Sequence, residues 1–183
     1  MNFKARAAPF CALFLLAFLL SAPAAEFAEY RVKAEFIERL AQFVDWPAGA
    51  FSGPKGQFVI VIAGEDPFGR YLKDMAQGRT IKGRSVLLRH AQPGAPLGDC
   101  HLLFIAGSEY ARLPEFLAAA EGRAVLTIGD GEKFARNGAQ IGMYRKAGRL
   151  RFEINLGAAR KNGLVVSSQL LRLAEAVYGE VGR

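Results

Sequence analysis

The stretch HLLFIAGSE, residues 101–109, decides the fold. Five apolar residues, 102–106, run without a break and are followed at once by glycine, serine and glutamate. Similar short apolar runs occupy Phe58–Ile62, Val86–Leu88 and Ala124–Ile128. Nearly continuous apolar runs are typical of strands covered on both faces, as in a parallel sheet flanked by helices. The sequence therefore predicts an α/β fold built on a mostly parallel sheet.

Helical patterns lie before and between these runs. From Glu29 to Asp45 apolar residues recur at intervals of three and four, and Pro47 is expected to end that helix. Capping residues and prolines predict two further helices, at Pro67–Gly78 and Pro114–Glu121. One more short helix is predicted at Asp130–Asn137. These helices supply the layers that cover the sheet.

The pattern changes near the carboxyl end. Gln140–Tyr144 and Arg149–Leu156 flank Lys146-Ala147-Gly148, which predicts a β-hairpin. Polar and apolar residues alternate along its second strand, so one face packs and the other meets solvent or a partner. A final helix is predicted from Val166 to Tyr178. The expected architecture has three layers: a mixed, mostly parallel sheet flanked by helices, with a C-terminal antiparallel hairpin added at one side.

The first 24 residues have the layout of a secretory signal peptide. Two basic residues precede an apolar run from Ala12 to Leu20, and Ala22 and Ala24 stand where a signal peptidase requires small residues. The run is shorter than the about 20 apolar residues of a membrane-spanning helix. We expect residues 1–24 to be removed on export from the cytoplasm and residues 25–183 to form a single domain. The alternative is an N-terminal anchor that is retained.

Charge and cysteine content narrow the function classes. The chain has 24 Lys and Arg against 17 Asp and Glu, and removal of two basic residues with the signal peptide leaves 22 − 17 = +5. The charges are spread along the chain without a basic arm, so no nucleic-acid partner is expected. Cys100 would be the only cysteine left, which excludes an intrachain disulfide in the mature protein.

The chain carries few groups suited to catalysis. His90 and His101 are its only histidines, and neither has a second histidine at metal-ligand spacing. No serine lies in a Gly-x-Ser-x-Gly motif, and Gly129-Asp130-Gly131 lacks the rest of a phosphate-binding pattern. We therefore expect no catalytic residues, no cofactor and no metal site. A periplasmic hydrolase whose groups assemble from distant positions stays as an alternative.

Three polar loops follow three of the buried runs. Their candidate ligand-binding residues are Glu65, Asp66, Ser108, Glu109 and Asp130. If the three strands are parallel, the loops gather at the carboxyl ends, where open α/β sheets bind ligands. The acidic residues would favour a cationic or amino-bearing ligand. Ordinary helix capping on loops is the competing interpretation.

Candidate partner-binding residues lie in two other places. Trp46 follows the first helix in a loop, where a large apolar group either folds back onto the core or anchors a partner. Arg149, Arg151 and Glu153 occupy the polar positions of the hairpin's second strand and are expected on its exposed face. The sequence alone leaves both interpretations of Trp46 open.

A series of short motifs occurs in a single order from about residue 30 to residue 177. The motifs are Val32–Ile37, Phe43–Pro47, Gly64–Gly69, Cys100–Ile105, Val125–Asp130, Arg151–Leu156, Ala159-Arg160 and Ser167–Ala174. This ordered set resembles the YfiR family of periplasmic regulators.

The resemblance implies a non-enzymatic α/β protein of the periplasm. It implies binding to the periplasmic sensor domain of an inner-membrane diguanylate cyclase, or of another sensor, which controls cyclic-di-GMP, biofilm formation and motility. It also implies a homodimer, sequestration by an OmpA-like outer-membrane lipoprotein, and redox sensing through disulfides. Residues 142–149 of the hairpin contain no cysteine pair, so redox sensing by an intrachain disulfide is not expected. The alternative function is a small-ligand sensor that uses the three loops and acts on another membrane receptor.

Overall fold

The structure, a computed structural model, describes residues 22–51, 56–91, 94 and 96–179. The helices are α1 (Ala22–Gln42), α2 (Arg70–Gly78), a 3-10 helix (Gly107–Arg112), α3 (Leu113–Ala120), α4 (Leu156–Lys161) and α5 (Ser168–Leu173). The strands are β1 (Val44–Asp45), β2 (Phe58–Ala63), β3 (Thr80–Ile81), β4 (Arg84–Ala91), β5 (Leu102–Ile105), β6 (Leu126–Asp130), β7 (Ile141–Lys146), β8 (Arg149–Asn155), β9 (Val165–Val166) and β10 (Ala176–Tyr178).

Eight strands form one sheet in the order β10-β8-β7-β6-β5-β2-β4-β3. Strands β2, β4, β5, β6 and β7 run parallel, whereas β8 is antiparallel to β7 and β3 is antiparallel to β4. The β7–β8 turn consists of Ala147 and Gly148, whose φ angles of 49° and 75° suit a tight hairpin. The predicted α/β fold and the predicted hairpin are therefore confirmed.

Strands β2 and β5 each contribute alternate side chains to two apolar clusters. Ile60 and Ile62 of β2 belong to the same cluster as Ile37 of α1. Val61 belongs to the other cluster, together with Phe116 of α3. Because successive strand residues point to opposite faces, the unbroken apolar runs fill both layers at once. The result is the three-layer arrangement expected from the sequence.

A second, two-stranded sheet corrects the end of the first predicted helix. Helix α1 ends at Gln42, and Val44 pairs with Val166 in the antiparallel β1–β9 ladder. The backbone N–H of Ser167 also donates to the carbonyl of Phe43 at 2.9 Å. The prediction of helix up to Asp45 was wrong because these distant backbone partners replace the last helical turn.

The predicted final helix from Val166 to Tyr178 was also wrong. Only Ser168–Leu173 is helical, and Ala176–Tyr178 forms the edge strand β10 beside β8. The Ser167 hydroxyl accepts from the Leu170 N–H at 3.2 Å and so caps the short helix at its start. After it, the N–H of Glu175 donates to the carbonyl of Phe152, which draws the chain into the sheet.

Two more helix predictions needed correction. Residues 131–137 form turns instead of a helix, with the Phe134 side chain buried in the core. Helix α2 begins at Arg70 and not at Pro67, because Gly69 has a φ of 55° and the Asp66 carboxylate accepts from the Phe68 N–H. Asp66 thus closes a turn before the helix and does not cap the helix itself.

The predicted signal peptide lies outside the described residues, apart from its last three positions, which begin α1. Within the part of the chain that the structure describes, no helix combines the length and the apolar character needed to cross a membrane.

Candidate functional site

The three polar loops meet at one edge of the sheet. Strands β2, β5 and β6 are neighbours and run parallel, so their carboxyl ends lie side by side. A β-carbon on Gly64 would come within 2.6 Å of Glu109 Cγ and 3.0 Å of Ser108 Oγ. The strand order also changes direction at β2, which is where open α/β sheets place ligand sites. Here that position is filled by the protein's own side chains.

Asp130, the most buried acid of the three loops, forms an ion pair with a lysine of the protein itself. Lys33 of α1 lies with its Nζ 2.5 Å from Asp130 Oδ1, and the Tyr30 hydroxyl donates to Oδ2 at 2.9 Å. The side chains of Lys33 and Asp130 are only 3% and 7% exposed. Glu29 Oε1 lies a further 2.5 Å from Lys33 Nζ. A cationic ligand would have to replace this internal lysine.

The other loop acids have local partners or face solvent. Asp66 accepts from the Phe68 N–H at 2.9 Å and lies 3.9 Å from His90 Nε2. Glu109 lies 3.4 Å from Arg112 within the 3-10 helix, and Glu65 is exposed. Turn formation and ion pairing account for Asp66 and Glu109. Ligand binding at these loops stays a prediction.

The hairpin residues divide into an exposed pair and a buried acid. Arg149 and Arg151 are exposed, but Glu153 is only 8% exposed, so the expectation that it faces solvent was wrong. Glu153 lies in register with Ala176 of β10 on one side and Gly142 of β7 on the other, which makes β8 an interior strand. The sequence pattern could not reveal this, because it predicted a helix where β10 forms.

Glu153 is a buried carboxylate of the hairpin. Its Oε1 accepts from the Tyr144 hydroxyl at 3.3 Å, and its Oε2 is buried without a hydrogen-bond partner among the described residues. Burial, followed by the nearby Glu153 charge, raises the pKa of Tyr144 to about 12. Tyr144 therefore stays protonated and acts as a donor to Glu153.

Four exposed cations cluster around the hairpin turn: Arg145, Lys146, Arg149 and Arg151, which we name the hairpin surface. Lys146 lies 3.0 Å from Glu175, and Arg151 lies 3.7 Å from the same carboxylate. Arg145 lies 3.6 Å from Glu29. Among the described residues, three of the four cations pair with Glu29 or Glu175 and Arg149 forms no ion pair, so exposed positive charge remains on this surface. The sequence analysis missed Arg145 and Lys146, although their position beside the turn could have identified them.

Trp46 packs onto the core. Its ring lies edge-on to Phe58, with centroids 5.2 Å apart, and 5.9 Å from Phe51. Its Nε1 is buried without a hydrogen-bond partner among the described residues. Of the two interpretations that the sequence left open, the structure favours core packing over a free anchor.

His101 and Cys100 occupy structural positions. His101 Nδ1 accepts from the Val59 N–H at 2.9 Å, and Nε2 lies 3.0 Å from the Ala50 carbonyl, to which it donates as the neutral tautomer. Burial lowers the pKa of His101 and raises the pKa of Cys100 to about 12. Both groups are therefore neutral at pH 7 and poorly suited to act as base or nucleophile.

Over the described ranges, no cluster of three or more His, Cys, Asp or Glu side chains is arranged to hold a metal ion.

A family model described as YfiR/HmsC-like matches residues 30–175. This chain belongs to the YfiR/HmsC-like family. The family is one of non-catalytic, periplasmic regulators of diguanylate cyclases. No curated protein matches the chain in a sequence search.

Proposed function

We propose that this protein is a periplasmic repressor that binds the periplasmic sensor domain of an inner-membrane diguanylate cyclase and holds the enzyme inactive. The match to the YfiR/HmsC-like family over residues 30–175 is the observation that carries this proposal. Export by cleavage of residues 1–24 is part of the same proposal. Lower cyclic-di-GMP and less biofilm would follow in the cell.

Repression requires only that the protein prefers one state of the sensor. A binding partner shifts a conformational equilibrium by the difference in its affinity for the two states. A preference of about 3 kcal/mol changes the ratio of the states by more than a hundredfold. A rigid surface suits this role because it does not adapt to the disfavoured state.

We place the contact on the hairpin surface. Arg149 and Arg151 are exposed on β8, where they lie in register with Lys146 and Tyr144 of β7, so the hairpin ladder holds their backbone. Excess positive charge steers association with an acidic surface and fixes its orientation. Glu153 is left out of this surface because it is buried, and Trp46 because it packs on Phe58.

The test is calorimetric titration of the purified protein with the periplasmic domain of a cyclase encoded beside its gene. Arg149→Glu/Arg151→Glu is expected to weaken binding at least tenfold, because two contacts turn from attractive to repulsive. Arg160→Glu/Lys161→Glu changes the same charge on exposed positions of α4 and should leave the affinity unchanged. The proposal is wrong if the wild-type protein binds no such domain and deletion of its gene leaves cyclic-di-GMP unaltered.

Two further features of the proposal rest on the resemblance to the family. We propose that the protein forms a homodimer and that an OmpA-like outer-membrane lipoprotein sequesters it and so releases the cyclase. Light scattering of the purified protein tests the dimer. A competition experiment, in which the lipoprotein displaces the cyclase domain, tests the sequestration.

The alternative, a small-ligand sensor that uses the three polar loops, has less support. The Asp130 carboxylate is already bound by Lys33 and Tyr30, and Asp66 and Glu109 have partners within their own loops. A rise in melting temperature with an amine, absent from the Asp130→Asn variant, would favour this alternative.

A further inference from the structure

A cavity of about 440 Å³ lies at the amino ends of β2, β5 and β6, at the opposite ends of these strands from the three polar loops. Its lining includes Val59, Leu87, Arg89, Asp99, Arg123 and Val125. Sites for small molecules commonly occupy about 300–1,000 Å³ and combine apolar walls with a few converging polar groups. This cavity has both features, and the proposed repressor function does not use it.

Two guanidinium groups converge on one short backbone stretch beside the cavity. Arg123 donates to the carbonyl of Gly98, and Arg89 donates to the carbonyl of Asp99 at 3.3 Å. A β-carbon on Gly98 would lie 3.1 Å from Arg89 Nη2, so both guanidinium groups reach this residue. Each guanidinium carries five N–H donors, which leaves several of them available.

The positive charge at this cavity is not balanced locally. Within the described part of the chain, neither Arg89 nor Arg123 forms an ion pair, even though Asp99 also lines the cavity. The neighbouring Cys100 and His101 are neutral, since burial raises the pKa of the thiol and lowers that of the imidazole. Two guanidinium groups against the single carboxylate of Asp99 leave an excess of positive charge in the lining, which favours the binding of an anion.

Arg84 adds a third cation near the same cavity. It donates to the carbonyl of Gly56 at 2.8 Å, and its guanidinium carbon lies 4.4 Å from the centroid of Phe51. Gly56 is itself part of the cavity lining. The approach to the cavity is therefore also electropositive.

We propose that this cavity binds a small organic carboxylate, whose carboxylate group is held by Arg89 and Arg123 and whose apolar body lies against Val59, Leu87 and Val125. The planar guanidinium matches a carboxylate by paired hydrogen bonds. The apolar walls select an organic acid over an inorganic anion, because burying the ligand's hydrocarbon adds to its affinity. The site is distinct from the hairpin surface, so it can be tested separately.

The test uses NMR and calorimetric titrations with three probes: hexanoate, hexanamide and inorganic phosphate. Hexanoate is expected to bind and to shift the side-chain N–H signals of Arg89 and Arg123. Hexanamide has the same apolar body without the charge and should cause no such shift, and phosphate should bind much more weakly than hexanoate. Arg89→Gln and Arg123→Gln should each lower the affinity for hexanoate about tenfold or more, since each removes a charged hydrogen-bond donor.

Arg160→Gln, at an exposed position of α4, is the matched control and should bind hexanoate like the wild type. Circular dichroism checks that each variant is folded, and two separate arginine variants keep the test informative if one of them is not. The proposal is overturned if hexanoate does not bind, if hexanamide or phosphate binds equally well, or if Arg160→Gln weakens binding as much as the cavity variants do. Because the cyclase domain is absent from this experiment, its outcome is independent of the proposed repressor function.

Discussion

Replacing Lys33 by methionine is expected to destabilise the protein strongly. Lys33 Nζ lies 2.5 Å from Asp130 Oδ1, and the two side chains are 3% and 7% exposed. The substitution keeps most of the side-chain volume in α1 but removes the cation. The Asp130 carboxylate is then left buried, and the Tyr30 hydroxyl is the one side-chain donor that remains to it among the described residues.

Removal of one partner from a buried ion pair costs about 3–5 kcal/mol of unfolding free energy. We expect a value near the lower end, about 3 kcal/mol, because the Tyr30 hydroxyl still donates to Asp130 at 2.9 Å. Domains of this size unfold with a free energy of about 5–15 kcal/mol, so the variant should remain folded with a lower urea midpoint. Asp130→Asn should lower the unfolding free energy by less than Lys33→Met does, because Lys33 remains paired with Glu29, 2.5 Å from its Nζ.

The assay is equilibrium unfolding in urea, followed by fluorescence and circular dichroism. Arg79→Met is the matched control, because Arg79 lies 2.6 Å from Glu38 but its side chain is 49% exposed. Exposed pairs contribute little, so this control should shift the midpoint far less. The double variant Lys33→Met/Asp130→Asn should lose less than the sum of its parts. Equal shifts for Lys33→Met and Arg79→Met, or strict additivity of the pair, would refute the argument.

Three other predictions concern the core. Burial lowers the pKa of His101 below its usual 6.5, so the unfolded chain binds a proton at a higher pH than the folded protein does. The free energy of unfolding should therefore fall as the pH drops below about 6.5. Urea titrations at several pH values measure this slope, and His101→Gln should flatten it. Burial raises the pKa of Cys100 to about 12, so iodoacetamide at pH 8 should label Cys100 far more slowly in native protein than in urea, as seen by peptide mass spectrometry. Gly129→Ala would place a β-carbon against the ring of the buried Phe134, and the unfolding free energy should fall by about 1–3 kcal/mol.

The central sheet could be predicted because its signal is local. Apolar runs such as Leu102–Ile105 have both faces buried, and the absence of polar residues within a run is enough to predict this burial. The hairpin turn at Ala147-Gly148 is equally local, since the two residues adopt positive φ angles at the turn. The last strand was not predictable in this way. Ala176–Tyr178 becomes a strand through pairing with residues 153–155, which its own sequence does not encode.

The same distinction explains what could be predicted about the candidate site. Parallel strands bring Glu109 and Asp130 to one edge, and this followed from the order of the apolar runs. The closure of that edge by Lys33 depends on how α1 lies across the sheet, and Lys33 is 97 residues away from Asp130 in sequence. A lysine within an amphipathic helix usually faces water, so its pattern gave no sign of burial.

Lys33 also gives a physical reason to place the function elsewhere on the molecule. The carboxyl edge of a parallel sheet is the usual ligand site of this architecture, and here a buried Lys33–Asp130 pair and the Ser108 and Glu109 side chains against Gly64 fill it. A buried charge pair is costly to separate, which makes this edge a poor place for reversible ligand exchange. At the hairpin, Arg149 forms no ion pair among the described residues and Arg151 lies 3.7 Å from Glu175, and both arginines are exposed, so neither is held in a buried charge pair. The protein's own side chains thus fill the carboxyl ends of the strands, and exposed positive charge lies on the hairpin. This arrangement is better suited to recognising the surface of a partner than to enclosing a ligand at that edge.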